Sequence, residues 1–552
     1  MKSQLSTPYW IPGKHPVQTG KEALCDAMSQ LNRPFLLVDA DGQVGVARGG
    51  RLILESGAAS AADDEGGRRR LYAFVPRLLP EDLGSDRFKK MHGLRYAYVM
   101  GAMANGITSV EMVHEAGKTG MIGFFGAAGL SIPEIEAAVV RLAGRGFPFG
   151  VNLIHSPYEP ELEAATVALY LERGVRLISA SAFLDMTLPL VRYRLSGIGR
   201  DPDGAVVCPN RVVAKISRQE VARKFLSPAP EKFLRALVDS GELTQEQALL
   251  AESVPVADDI TAEADSGGHT DNRPAITLLP TILNLRDEFS RRHRYRRWPC
   301  VGLAGGIATP DAAAAAFAMG ADFVLTGTVN QTCREAGTSD AVRRMLSEAG
   351  QADVAMAPAA DMFEMGVKVQ VLKRGTMFPQ KAARLYELFK SAPSLEALSE
   401  ADRKVLERSY FRCTLEEEWE KTRRFFQQRD PSQIQKGEKD PRHRMALVFR
   451  SYLGRSSAWA NAGEPSRQID YQIWCGPAIG AFNRWCSGTF LEKPENRKVV
   501  TVAMNLMAGA CSATRAGWIR SQGVRLPREG ARFTPAPLEQ LMARLYEPDL
   551  AN

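Results

Sequence analysis

One histidine stands out for its setting. The run Asp259-Ile260-Thr261-Ala262-Glu263-Ala264 is strand-like and leads through Asp265-Ser266 into Gly267-Gly268-His269. Paired glycines let the chain turn sharply at a strand end. An imidazole held there can donate or accept a proton near neutral pH, so His269 is the candidate catalytic residue. His155, after Val151-Asn152-Leu153-Ile154, is the next candidate; the remaining histidines lack such a setting. Glycine-rich ends form a second group. Ala304-Gly305-Gly306-Ile307 and Gly327-Thr328 close two other apolar runs. Glycine leaves backbone N–H groups uncovered and Thr328 adds a hydroxyl donor, so adjacent ends of this kind suit the phosphate of a bound ligand. Gly101-Ala102-Met103-Ala104 offers small side chains against which a flat ligand can lie.

These residues need a frame that brings strand ends together. Eight apolar runs follow one another: 96–103, 121–125, 149–154, 177–182, 212–216, 259–264, 300–307 and 323–327. Helix-like segments separate them. Continuous apolar strands alternating with helices signal a parallel sheet covered on its outside, and eight units close best as a (β/α)₈ TIM barrel, an α/β fold with its active site at the C-terminal strand ends. The barrel is expected over residues 90–335, with a helical insertion at 232–253. A small β-rich unit is expected over residues 1–85, with an apolar run at 35–42 that ends in a turn, strands at 44–54 and 71–75 and an exposed loop at 57–70. Residues 336–552 read as a strand at 367–372 plus a helical C-terminal region packed on or over the barrel, strongest at 499–522, with a polar, basic loop or linker at 428–445.

Composition sets outer limits. Lysine and arginine total 70 against 63 aspartates and glutamates, and the net charge of +7 is too slight, and its basic runs too short, to suggest nucleic-acid binding. Eight cysteines contain no C-x-x-C pair, so no zinc site is expected, and they read as reduced thiols of a cytoplasmic protein. The first residues lack the apolar stretch of a signal peptide. The most apolar late segment, 499–513, is shorter than the roughly 20 residues a membrane span needs. No G-x-G-x-x-G fingerprint supports a separate dinucleotide domain.

In order and spacing, Gly101-Ala102-Met103-Ala104, Phe149-Gly150-Val151-Asn152-Leu153, Gly267-Gly268-His269, Ala304-Gly305-Gly306-Ile307 and Gly327-Thr328 resemble the flavin barrels of the nitronate monooxygenase (2-nitropropane dioxygenase) superfamily. A longer resemblance covers almost the whole chain. The segment from Ala262 to Pro274, Lys215-Ile216-Ser217-Arg218 and the segment from Ala357 to Gln370 are similar to the PfaD family, trans-acting enoyl reductases of polyunsaturated-fatty-acid and polyketide synthases. Asp265-Ser266 departs from the Glu-Ala of ordinary nitronate monooxygenases.

The resemblance implies FMN, with Gly101, Ala102, Met103, Ala104 and Asn152 lining its ring system, Gly305, Gly306, Gly327 and Thr328 cradling its phosphate, and Gly267, Gly268 and His269 beside it. Lys215 is a further strand-end residue that could meet the flavin. It also implies NADPH as hydride donor and an enoyl thioester on an acyl carrier protein as substrate. Such carriers are acidic, and Lys436, Lys439, Arg442, His443 and Arg444 form a basic stretch that could face one. Two other readings remain open at this point: a nitronate monooxygenase-type flavin oxidase, and a non-catalytic flavin-bound scaffold within a synthase.

Overall fold

A strand that is apolar along its whole length must be covered on both faces, and a closed barrel ringed by helices does this. A computed structural model, which describes residues 8–53, 67–157, 159–527 and 532–546, shows that barrel. Its strands are β1 (Tyr98–Met100), β2 (Ile122–Phe125), β3 (Gly150–Ile154), β4 (Leu177–Ser181), β5 (Arg211–Ile216), β6 (Asp259–Glu263), β7 (Cys300–Ala304) and β8 (Val324–Thr326). Each pairs in parallel with the next, and β8 returns to β1, with Val324 opposite Tyr98. The barrel is filled, not hollow: Val99, Phe124, Val213 and Phe323 pack inside it. The helix Asp86–His92 closes the N-terminal end. Phe88 stacks on Phe323 at 4.2 Å, and His92 Nε2 lies 2.7 Å from buried Asp259. The other end is left for the site.

The helical insertion after β5 is present as Glu231–Asp239 and Gln245–Ala251. The N-terminal segment forms a six-stranded antiparallel sheet. The strand expected over 44–54 is two, Gln43–Ala47 and Arg51–Ile53, because Gly49 and Gly50 turn the chain between them at positive φ. Most of the loop expected at 57–70 lies outside the described residues, and its end, Arg69–Val75, is a strand.

Beyond the barrel the chain forms α1 (Phe378–Ser391), α2 (Leu415–Arg429), α3 (Pro431–Lys439), α4 (Pro441–Ala462) and α5 (Val499–Ser521). The expected linker at 428–445 is therefore wrong: α3 and the start of α4 occupy it. The reason is local. The Asp430 and Asp440 carboxylates cap these helices, accepting from Ser432 N at 3.1 Å and Arg442 N at 2.9 Å, and Pro431 and Pro441 occupy the first helical position. Polar composition hid an Asp-Pro helix start used twice.

A second core, including Phe363, Phe378, Leu385, Leu447 and Tyr452, holds this region together. The apolar helix α5 sits between the barrel and the N-terminal sheet. Gly509 lets it approach Pro310 of a barrel helix, where a Cβ would fall 2.5 Å from the proline ring. On its other side Arg515 lies over the Phe35 ring and donates to the carbonyls of Gln30 and Arg33, both at 2.9 Å. Among the described residues no helix is long and apolar enough to cross a membrane, and no group of residues could hold a metal ion.

Candidate active site

The C-terminal ends of the strands open into a cavity of about 870 Å³. Gly101, Ala102, Met103, Ala104, Asn152, Lys215, Gly267, Gly268, His269, Gly305, Gly306, Gly327 and Thr328 all line it. His155 does not. Its Nδ1 sits 2.9 Å from the buried Glu163 carboxylate and its ring stacks on Phe183, so it braces the loop after β3.

The floor is backbone held at close quarters. After β1, the buried Thr108 hydroxyl donates to Gly101 O at 2.7 Å and accepts from Met103 N at 2.9 Å, which pins the Gly101–Ala104 turn. After β7, Gly305 and Gly306 have φ of +84° and +78°, a region that favours glycine. They differ in their surroundings. A Cβ at Gly305 would stand 2.7 Å from the backbone of Ala264 and Asp265, whereas one at Gly306 meets no atom within 4 Å. Gly327, at the head of the short helix Thr328–Gln331, is equally open. Gly306 and Gly327 thus border space at the ends of neighbouring strands, a cradle that added Cβ atoms would occupy. On the β3 side, the Asn152 amide donates to Ser179 O at 2.9 Å and Ser181 Oγ at 3.0 Å, which fixes the side chain at the cavity wall.

The polar side chains form two pairs. Lys215 Nζ meets Glu263 Oε1 at 2.7 Å, across the neighbouring strands β5 and β6. His269 Nε2 meets Asp361 Oδ1 at 3.1 Å. Both members of the second pair lie deep in the molecule yet face the cavity, with 34% and 35% of their side chains accessible. Burial opposes a charge on His269, but the charge and hydrogen bond of Asp361 outweigh it and raise the imidazole pKa above its ordinary value. Burial likewise works against ionised Asp361, and His269 overrides it, so the carboxyl is held below its usual range. With Nε2 engaged by Asp361, only the protonated ring has a second N–H, on Nδ1, to offer a ligand.

His269 does not sit on a simple turn, as the sequence suggested. Gly268–His269 is a short strand that pairs antiparallel with Lys368–Leu372, which in turn pairs with Val354–Pro358, a strand not foreseen from the sequence. Gly267 is glycine because the backbone of Cys475 and Gly476 passes beside it; a Cβ would fall 2.9 Å from Cys475 N. The Gln370 amide donates to Asp265 Oδ1 at 2.8 Å and Ser266 O at 2.9 Å, so Asp265-Ser266 ties the histidine segment to the sheet above it. Arg218 grips Asp271 with two bonds of 2.8 and 2.7 Å. The separate motifs 215–218, 262–274 and 357–370 are one assembly in space.

That the C-terminal helical region packs over the barrel was expected, but not which of its residues roof the cavity. Helices α2 and α4 cross the cavity and contribute Glu418, Lys421, Phe425, Arg429, Leu447 and Arg455, while Trp474 enters from beyond α4. Two contacts tie roof to barrel. Arg429 makes a paired ion bond to Glu159 at 2.9 and 3.2 Å, and Asn105 Nδ2 donates to Ser457 Oγ at 2.8 Å. The basic residues picked out at 436–444 are partly absorbed by packing: the Arg442 guanidinium lies over Phe389, that of Arg444 lies over Trp419, and His443 meets Gln433. A sequence signal for the roof existed in the amphipathic pattern of α2; which face it turned to the barrel was not readable.

Comparison with known proteins adds a family context. Residues 392–471 match the family described as the inserted helical domain of [acyl-carrier-protein] S-malonyltransferase, a span that contains α2, α3 and α4. The chain is 48% identical over 473 residues to one of the polyunsaturated fatty acid synthase proteins of a Thraustochytrium species, covering 83% of this chain and 31% of that protein. It is 46% identical over 430 residues to the polyketide biosynthesis protein PksE of Bacillus subtilis, covering 77% of this chain and 56% of that protein. It thus spans from about a third to somewhat over half of these relatives. Among solved structures, the enoyl reductase domain of MlnA from the macrolactin biosynthesis cluster of Bacillus amyloliquefaciens is 40% identical with a TM-score of 0.75, covering 80% of this chain and 98% of that domain.

Proposed function

The chain belongs to the PfaD-type family of enoyl reductases, and from that premise we propose that it reduces α,β-unsaturated thioesters on an acyl carrier protein, using FMN held in the barrel and NADPH as hydride donor. The observation that carries the proposal is one cavity with a glycine cradle on one side and a His–Asp pair on the other. Backbone N–H groups around Gly306, Gly327 and Thr328 suit the FMN phosphate. The small residues 101–104 leave room for a flat ring, and Asn152 and Lys215 stand at its polar edge. When bound, FMN would supply the hydride relay from NADPH to the β-carbon of the substrate.

The remaining work falls to the chain itself. The α-carbon needs a proton, and the thioester oxygen develops negative charge as hydride arrives. His269, whose protonated form Asp361 favours, donates to one of these atoms through Nδ1. The roof of α2 and α4 would shield the reacting carbons from water, and the cavity has room for a long, flexible acyl group. The match of residues 392–471 to an insert found in an acyl-carrier-protein enzyme supports a carrier-borne substrate.

The test is anaerobic. NADPH should bleach the bound flavin, and a crotonyl thioester should restore its colour. Bleaching followed by recovery with oxygen alone, and no response to the thioester, would favour a flavin oxidase; protein that takes up no FMN would remove the proposal.

A further inference from the structure

Five lysine and arginine side chains line the cavity among the described residues: Lys215, Lys421, Arg429, Arg450 and Arg455. Four are neutralised by carboxylates, Lys215 by Glu263 at 2.7 Å, Arg429 by Glu159 at 2.9 Å, Arg450 by Glu364 at 3.4 Å and Arg455 by Glu418. Lys421 is different. Its Nζ meets the Cys413 sulfur at 3.2 Å and, among the described residues, no carboxylate. Burial pushes the Cys413 thiol pKa up, and the thiol bonds onward to Glu418 Oε2 at 3.6 Å, so the ammonium reaches that carboxylate only through the sulfur and pairs with none directly.

Lys421 lies one helical turn before Phe425 and two before Arg429, so all three share one face of α2 along the cavity edge. Phe425 is 55% exposed, unusual for a phenylalanine beside a deep pocket, and the Arg429 guanidinium lies over its ring at 5.6 Å. Among the described residues, the rim therefore offers a cation with no direct carboxylate partner next to a half-exposed aromatic ring. Lys421, Phe425 and His269 line one cavity, so a substrate tethered to a carrier can cross this rim on its way to His269. The tether is a phosphopantetheine arm, which has one anionic phosphodiester at its outer end, followed inward by a dimethyl-substituted carbon.

Resting on the enoyl-thioester reading above, we propose that Lys421 and Phe425 form the subsite for that arm. The ammonium receives the phosphate and the ring covers the dimethyl segment. The inner residues then need only recognise the thioester, and the arm is placed by charge at one end and apolar contact in the middle.

Binding tests this without turnover. Butyryl-pantetheine and its 4′-phosphate are saturated, so neither can be reduced, and each is titrated into the full-length, flavin-loaded protein by calorimetry. A partly exposed charge contact predicts about three- to tenfold tighter binding of the phosphate form. Lys421→Met should bring the ratio close to one, Lys421→Arg should keep it, and Phe425→Ser should weaken both ligands alike. The preference should shrink with added salt. Lys421 is exposed, so these variants are expected to fold, and Lys421→Gln serves if the methionine variant does not. Equal affinities in the unmodified protein, or the same ratio in Lys421→Met, would overturn the subsite. Failure of crotonyl thioesters to reoxidise the flavin would instead count against the enoyl-reductase reading, and the binding ratio would still decide the subsite.

Discussion

Replacing Gly306 separates ligand recognition from folding in a way its neighbour Gly305 cannot. Both have positive φ, so any side chain there carries about 1–2 kcal/mol of backbone strain. At Gly305 a Cβ would also press on the Ala264 and Asp265 backbone at 2.7 Å, and backbone cannot move aside. Gly305→Ala should therefore lose roughly a further 1–3 kcal/mol, with or without flavin. At Gly306 nothing of the protein lies within 4 Å, so the side chain of Gly306→Val projects into the proposed phosphate cradle. If it displaces one backbone N–H···phosphate bond, worth about 1.5–3 kcal/mol, FMN affinity should fall roughly 10- to 150-fold. In a chain of this size the strain alone should lower the apoprotein Tm by only a few degrees. Fluorescence titration of apoprotein with FMN gives the affinity, and calorimetric melting of apoprotein gives the stability. Unchanged FMN affinity in Gly306→Val would refute the cradle. Equal loss of apoprotein stability in the two variants would refute the reasoning that distinguishes them.

His269→Ala should keep its FMN and lose about 10²–10⁴-fold in enoyl turnover when chemistry limits the rate, and unchanged single-turnover rates would remove it from the mechanism. The pH dependence follows from its raised pKa: the donating form is the protonated one, so turnover should be full below that pKa and fall as pH rises through it. Asp361→Asn removes the charge that raises it, so the falling limb should move to lower pH, and a limb that stays in place would show that Asp361 does not govern the proton. A crotonyl group on its carrier protein should be reduced with higher kcat/KM than on pantetheine, by a margin that narrows with salt; equal efficiencies at every ionic strength would mean the carrier surface is not read.

Much of the barrel was legible because a buried parallel strand must be apolar along its length. The runs around Val99, Val213 and Val301 announced themselves in this way. The glycines were legible for a related reason, since Gly305 and Gly306 sit where backbone geometry excludes other residues. What eluded the sequence was mostly polar. The helical turns at 431–445 were hidden by charged composition although Asp430-Pro431 and Asp440-Pro441 mark their starts. His155 and His269 look alike as histidines that follow strands; the partners Glu163 and Asp361 distinguish them, one bracing a loop and the other facing the cavity.

The sequence by itself determined the barrel strands, the glycine-rich ends and therefore the floor of the site, because local backbone limits and burial act on each residue where it stands. Only the tertiary structure decided the roof, the pairing of His269 with Asp361 92 residues away, and the lining cation that, among the described residues, meets a thiol instead of a carboxylate. These depend on which face of α2 and α4 packs over the barrel, and that is set by the joint burial of apolar surfaces such as Phe363, Phe378 and Leu447, contributed by segments far apart in the chain.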